Sequence, residues 1–165
     1  MDSIRTMKID VSDVVARSVT NTFGVMFRRE VGDGDFGEGF AEGSGQEICS
    51  RVSLWQDGTL NMDFCFHFDR ELLSSIVTDA YPEEAPDKRT PLCEDIACAV
   101  ANIVVSNVKT FLNGRGFDMN MNIPTAGVVA ANGGQLVHLK FRCNAGAEKG
   151  DSILVNMQMQ DRRKG

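Results

Sequence analysis

The sequence is poor in histidine and lacks closely spaced cysteine pairs, and both shortages limit its chemistry. Only two histidines, His67 and His138, occur among the 165 residues. Neither lies beside a plausible nucleophile, so a Ser or Cys hydrolase triad has little support. The five cysteines contain no Cys-x-x-Cys pair, which predicts free thiols in a reducing cytoplasm.

Positive charge and long apolar runs are also scarce. The formal net charge of −6 argues against a nucleic-acid partner, which requires a basic surface. Asp2, Arg5 and Lys8 interrupt the first residues, so they do not resemble a secretory signal. No uninterrupted apolar run approaches the roughly 20 residues that span a bilayer. We therefore expect no membrane association and a cytoplasmic location.

The remaining composition is typical of one globular domain. Hydrophobic residues make up 42% of the chain and charged residues 24%. A chain of 165 residues is long enough to bury a substantial core. We therefore expect a single domain over residues 1–165.

Residues 31–46 are rich in glycine and in acidic side chains. Gly32, Gly34 and Gly37 formally match a dinucleotide-binding fingerprint, but the segment follows a predicted helix and its acidic side chains would repel a pyrophosphate. Asp33 and Asp35 could begin an EF-hand loop, but the sixth position of that loop must be glycine and this sequence has Glu38 there. We predict a mobile surface loop.

Alternating apolar residues over 47–68 predict a β-hairpin. A two-residue loop would turn Arg51 toward the core, so we favour a three-residue loop over 56–58. That loop places Leu54 opposite Leu60, and it puts a glycine at the left-handed position of the turn.

The predicted register creates an outer cluster of Cys49, Cys65 and His67. A zinc ion would need a fourth ligand, and the sequence offers none nearby. We interpret the cluster as two unpaired thiols and a surface imidazole. His138 is predicted on the polar side of a later strand.

Periodicity places the remaining elements. The predicted helices cover 10–27, a short segment after Asp69, and 91–114; the predicted later strands cover 117–123, 136–143 and 152–160. This order indicates the α+β class, with a single antiparallel sheet and helices packed on one face.

The helix over 91–114 carries the most informative surface. Pro91 suits its first position, where the missing N–H is not needed, and Gly114 is predicted as its left-handed C-cap. An apolar stripe covers one side, and the other side carries Asp95, Cys98, Ala99, Asn102, Ser106 and Lys109. Small residues around one amide suit either helix packing or a docking face, and periodicity alone does not choose between them.

Asp95, Asn102 and Pro124, with the Asn-Gly-Arg-Gly run between them, resemble the signature of the CheC/CheX/FliY family of chemotaxis phosphatases. That signature is an Asp or Ser, then a Glu and an Asn at one-turn steps of a helix, then a Pro farther along. The chain departs from it at the Glu position, which is Ala99.

The resemblance implies a CheX-like αβ sandwich that dimerises through its sheet. It implies a response-regulator receiver domain as partner, with Asn102 positioning the water that attacks the partner's phospho-Asp and Asp95 as the acidic residue that remains. Cys98, Ala99 and Ser106 would contact the partner. Mg²⁺ is expected on the receiver domain, and no metal or cofactor is implied for this chain. Because Ala99 replaces the acid, a non-enzymatic docking or scaffolding dimer is the alternative.

Overall fold

A computed structural model describes residues 3–127, 134–143 and 153–163. Within these ranges, three helices pack on one face of a seven-stranded antiparallel sheet, which confirms the predicted α+β class. In chain order the elements are α1 (Ile4–Phe27), β1 (Asp35–Glu38), β2 (Glu47–Gln56), β3 (Leu60–Asp69), α2 (Arg70–Ala80), α3 (Pro86–Gly114), β4 (Asn120–Met121), β5 (Thr125–Ala126), β6 (Gln135–Phe141) and β7 (Ile153–Asp161).

The core lies between the sheet and the helices because successive side chains of a strand point to opposite faces. The strand order is β1-β6-β7-β3-β2-β4, with β5 also pairing with β2. The residues predicted to point inward on the last two strands are buried in this core; they are Val137, Leu139, Phe141, Ile153, Val155, Met157 and Met159.

The β2–β3 hairpin turns one residue later than predicted. Its loop is 57–59, so Gln56 pairs with Leu60. The Thr59 N–H donates to the Gln56 carbonyl at 3.0 Å, and Gly58 has the expected left-handed φ of +69°. The pairing moves by two residues, an even number, so every side chain keeps its predicted face.

Helix α1 begins before its predicted start at residue 10, because Ser3 caps it. The Ser3 Oγ accepts a hydrogen bond from the backbone N–H of Thr6 at 3.2 Å. Helix α1 packs against α3, where the Asn107 Nδ2 donates to the Ser18 Oγ at 2.7 Å. This bond explains why an amide interrupts the apolar stripe of α3.

Helix α3 also begins early, and Pro86 takes the first-turn position predicted for Pro91. Pro91 therefore lies inside the helix, where it lacks the N–H for an i→i−4 bond. At the other end, the helix runs through Gly114, and Gly116 adopts the left-handed conformation at φ +97°. The prediction that Gly114 is the left-handed cap was therefore wrong.

By length and composition alone, α3 could cross a membrane, although the sequence shows no uninterrupted apolar run of that length. Core helices have the same composition, and this helix contacts α1, α2 and β2. Its side chains buried within the domain are Cys93, Ala97, Val100, Ala101, Val104, Val105, Val108 and Leu112.

The segment 31–46 contains a strand that the sequence did not predict. Strand β1 pairs with β6 at the edge of the sheet. Gly37 permits this pairing because a Cβ at that position would collide with the His138 ring. Glycine here allows close approach to a neighbouring strand, so 31–46 is not purely a surface loop.

Residues 117–123 do not form the continuous strand that was predicted. Within this stretch only β4, two residues long, forms a strand with β2, and β5, also two residues long, pairs with β2 just beyond it. After Asn122 the chain leaves β2, and Pro124 has no N–H to donate to the ladder. As a result Ile123, which lies in the predicted strand, is 83% exposed.

Candidate functional site

The predicted site residues lie together on the outer side of α3. Asp95, Ala99 and Asn102 are exposed, and Cys98 and Ser106 beside them are half-buried. The helical repeat places these side chains on neighbouring turns of one face. Because Asn102 is not buried by any described element, this face does not serve helix packing within the described chain.

The residues between β4 and β5 form the opposite wall of the site. The backbone N–H of Ser53 donates to the Asn122 Oδ1 at 2.8 Å, and the Asn122 N–H donates to the Ser53 carbonyl at 3.3 Å. On the helix side, the Ser106 Oγ donates to the Met121 Sδ at 3.6 Å. These bonds fix the wall to β2 on one side and to α3 on the other.

The two walls enclose an open cleft with a volume of about 530 Å³. Its lining comprises Asp95, Cys98, Ala99, Asn102, Met121, Asn122, Ile123 and Pro124. The three residues that carry the family resemblance, Asp95, Asn102 and Pro124, are therefore brought together. Ser106 lies next to this lining through its contact with Met121.

Asn102 is an exposed polar group of the cleft. Its side chain makes no hydrogen bond to any other residue that the structure describes. A carboxamide donates through its NH₂ and accepts through its C=O, so Asn102 can hold a water molecule. Asp95 is the charged residue among the described lining residues, and the half-buried Cys98 accepts a hydrogen bond from the Ser50 Oγ at 3.6 Å.

The outer cluster of Cys49, Cys65 and His67 differs from its prediction in the burial of His67. His67 is only 5% exposed, so the prediction of a surface imidazole was wrong. Asn156 covers it, with Nδ2 3.2 Å from the His67 Nε2, and itself binds the backbone of Ala41. His67 pairs across the strands with Cys49, whose Sγ lies 3.3 Å from the His67 Nδ1.

The two cysteines of this cluster remain reduced. Cys49 and Cys65 form no disulfide. A hydrogen bond with Cys65, and then burial, raise the pKa of the Cys49 thiol above its usual range. Among the described residues, no group of His, Cys, Asp and Glu has the geometry of a metal site.

Sequence reasoning missed the second wall of the cleft. Met121, Asn122 and Ile123 were assigned to a regular strand over 117–123. The proline at 124 was the available signal, because a central strand rarely contains one.

No protein-family model matches the sequence, and no curated protein matches it significantly. Solved structures do match. CheX from Vibrio vulnificus superposes with a TM-score of 0.74 at 15% identity, over 92% of this chain and 99% of that one. CheX from Desulfovibrio desulfuricans gives a TM-score of 0.72 at 13% identity, over 92% and 99% of the two chains.

A third match is the CheX–CheY–BeF₃–Mg²⁺ complex from Borrelia burgdorferi. Its TM-score is 0.70 at 17% identity, over 93% of this chain and 97% of that one. All three matches extend over nearly the whole of both chains. The chain therefore has the fold of the CheX and CheC-like chemotaxis proteins.

Proposed function

We propose that this protein binds a phosphorylated response-regulator receiver domain at the Asn102 cleft, and that Asn102 orients the water that hydrolyses the aspartyl phosphate. The observation that carries the proposal is an exposed Asn102 in an open cleft, without a side-chain partner among the described residues. The fold supports it, because a protein of this fold was solved in a CheX–CheY complex.

The proposed chemistry asks little of the protein. An aspartyl phosphate is reactive, so hydrolysis requires mainly a water molecule held in line with the phosphorus. The Asn102 amide can accept from that water and donate to it, and this role needs no shifted pKa. Mg²⁺ would be held by the receiver domain, where it neutralises phosphoryl charge.

The remaining cleft residues would seat the partner. Asp95 would face a basic group on the receiver domain, although it lies one turn from the position where the family signature has its Glu. Cys98, Ala99 and Ser106 are small, so a partner's backbone could approach the helix closely there. The water held by Asn102 would then be positioned by the docked complex as a whole.

Ala99 favours a second candidate function, a docking module without turnover. Ala99 has no charge with which to pair a cation of the partner, so the partner could bind without being aligned for hydrolysis. Asp95 reaches the same cleft, but from a different turn of α3. The two candidates predict the same binding and differ in phosphate release.

The test measures how long phosphate persists on a receiver domain that wild-type protein binds. Wild type should shorten the lifetime, and Asn102→Ala should remove the effect without weakening binding. The matched control is Asn21→Ala, which removes another exposed asparagine, on α1. Binding without a shortened lifetime would favour the docking module. Equal activity of wild type and Asn102→Ala would reject the catalytic role.

We also propose that the protein is a homodimer joined through its sheet. Strand β1 ends the sheet, and within the described residues only one of its edges is paired. An open strand edge offers unpaired N–H and C=O groups to another chain. Phe36 on β1 is 45% exposed, which adds apolar surface at this edge. A monomeric mass at micromolar concentration would contradict the proposal.

A further inference from the structure

Ile123 is an apolar side chain that is exposed to solvent. At 83%, it is the most exposed large hydrophobic side chain in the described part of the protein. It lies on the rim of the cleft that contains Asn102. A single exposed apolar side chain is ordinary on a protein surface, so what distinguishes Ile123 is its place in the lining of this cleft.

The backbone on both sides of Ile123 is held firmly. Asn122 exchanges two hydrogen bonds with Ser53 of β2. Pro124 follows with its φ fixed by the ring, and β5 then pairs again with β2. The side chain is therefore presented in a set position, which lowers the entropy cost of burying it against a partner.

The other cleft residues narrow the chemistry of that partner. Among the described residues that line the cleft, Asp95 is the charged one, and Asn102 is exposed and able to meet a polar group. A complementary surface therefore presents a cation opposite Asp95, a water-accessible phosphoryl group near Asn102, and an apolar recess opposite Ile123. The three features must lie within the span of one cleft of about 530 Å³.

We infer that Ile123 is the apolar anchor by which this cleft recognises its receiver domain, filling a recess beside the phosphorylated aspartate. The inference rests on the proposed function. It assigns different tasks to the two walls of the cleft. The α3 wall carries the residue that acts on the water, and the 122–124 wall supplies affinity and selects among receiver domains.

The test compares Ile123→Ala with wild type in binding a receiver domain loaded with BeF₃⁻ and Mg²⁺. Burial of an isoleucine side chain corresponds to about a 10- to 100-fold change in affinity, so the Kd should rise by about that factor. The matched control is Val25→Ala, which truncates another exposed apolar residue, 73% exposed and outside the cleft lining. Its Kd should equal that of wild type.

A kinetic readout separates anchoring from catalysis. Ile123→Ala should raise the concentration needed for half-maximal dephosphorylation and leave the saturated rate unchanged. Asn102→Ala should lower the saturated rate and leave the Kd unchanged. Both side chains are exposed, so thermal unfolding should confirm that each variant remains folded.

A raised Kd for Ile123→Ala with an unchanged Val25→Ala supports the anchor. An unchanged Kd for Ile123→Ala overturns the anchor and leaves the proposed function standing. If wild type binds no receiver domain from its own organism, the proposed function fails, and the anchor fails with it.

Discussion

Asn102 and Asn156 are the same residue in opposite situations. Asn102 is exposed on α3 and makes no side-chain hydrogen bond to another described residue. Asn156 is 5% exposed on the outer face of the sheet. Its Oδ1 accepts from the Ala41 N–H at 2.9 Å, and its Nδ2 donates to the Ala41 carbonyl at 2.8 Å. Its Nδ2 also lies 3.2 Å from the His67 Nε2.

Buried polar side chains stabilise the fold, whereas exposed ones can bind a ligand. A buried amide must have its hydrogen bonds satisfied, because leaving them unmade costs about 1–3 kcal/mol each. An exposed amide exchanges bonds with water at little cost. Asn156 therefore stabilises the fold, and the donor and acceptor of Asn102 remain open to solvent.

Asn156→Ala should lower the stability of the protein more than any other substitution considered below. The substitution leaves the Ala41 N–H and carbonyl and the His67 ring without their partner, so the free energy of unfolding should fall by about 2–4 kcal/mol. Urea denaturation measures this loss. A loss below about 1 kcal/mol would mean that water replaces the amide, and that Asn156 is not the anchor of this segment.

Ala99→Glu adds a carboxylate to the cleft side of α3. A Glu at 99 restores the acid of the family signature one turn before Asn102, and a seated ion pair with the receiver domain could contribute about 1–3 kcal/mol. Dephosphorylation of a receiver domain that the protein binds should then accelerate about ten- to a hundredfold. The phosphate lifetime on the receiver domain measures it.

The control for that gain is the double variant Ala99→Glu/Asn102→Ala, which should show no acceleration because the water-holding amide is absent. If Ala99→Glu alone brings no gain with a receiver domain it binds, the missing acid does not limit catalysis. The docking module would then be the better description.

Cysteine labelling extends the comparison to thiols. Cys98 lines the open cleft, whereas Cys49 lies in the outer cluster with a raised pKa and so carries little thiolate at neutral pH. Because the thiolate is the reactive form, Cys98 should react with iodoacetamide about tenfold faster or more. Peptide mass spectrometry over time measures both rates. Equal rates would contradict the raised pKa of Cys49 in the outer cluster.

The smallest effect should come from Asn102→Ala on stability. Because the side chain is exposed and unpartnered among the described residues, the free energy of unfolding should change by no more than about 0.5 kcal/mol. This variant is also the matched control for Asn156→Ala, since both make the same substitution. A loss of several kcal/mol with unchanged activity would show that Asn102 is structural.

The sequence predicted what depends on local periodicity. The face of α3 that carries Asp95, Ala99 and Asn102 follows from the helical repeat alone, and the structure shows the three residues exposed together. The inward faces of the strands were predicted for the same reason. An error of two residues in the hairpin register left these faces unchanged because the strand repeat is two.

What the sequence did not predict depends on distant contacts. His67 is buried because Asn156 and the segment at Ala41 cover it, and Ala41 comes from a stretch whose glycines indicated a loop. Strand β1 in that stretch exists because β6 offers it an edge. Ile123 is exposed because pairing with β2 is interrupted. None of these contacts leaves a periodic signal in its own segment.

The division of α3 into two sides bears on how this protein could change over evolution. The side chains that fix the helix in the core, such as Val100 and Val104, are different from those that face the cleft. Substitutions at Asp95, Ala99 and Asn102 should therefore escape the usual conflict between new activity and folding. A duplicated copy could be retargeted to another signalling partner, or lose turnover, through a few surface changes while its scaffold is inherited intact.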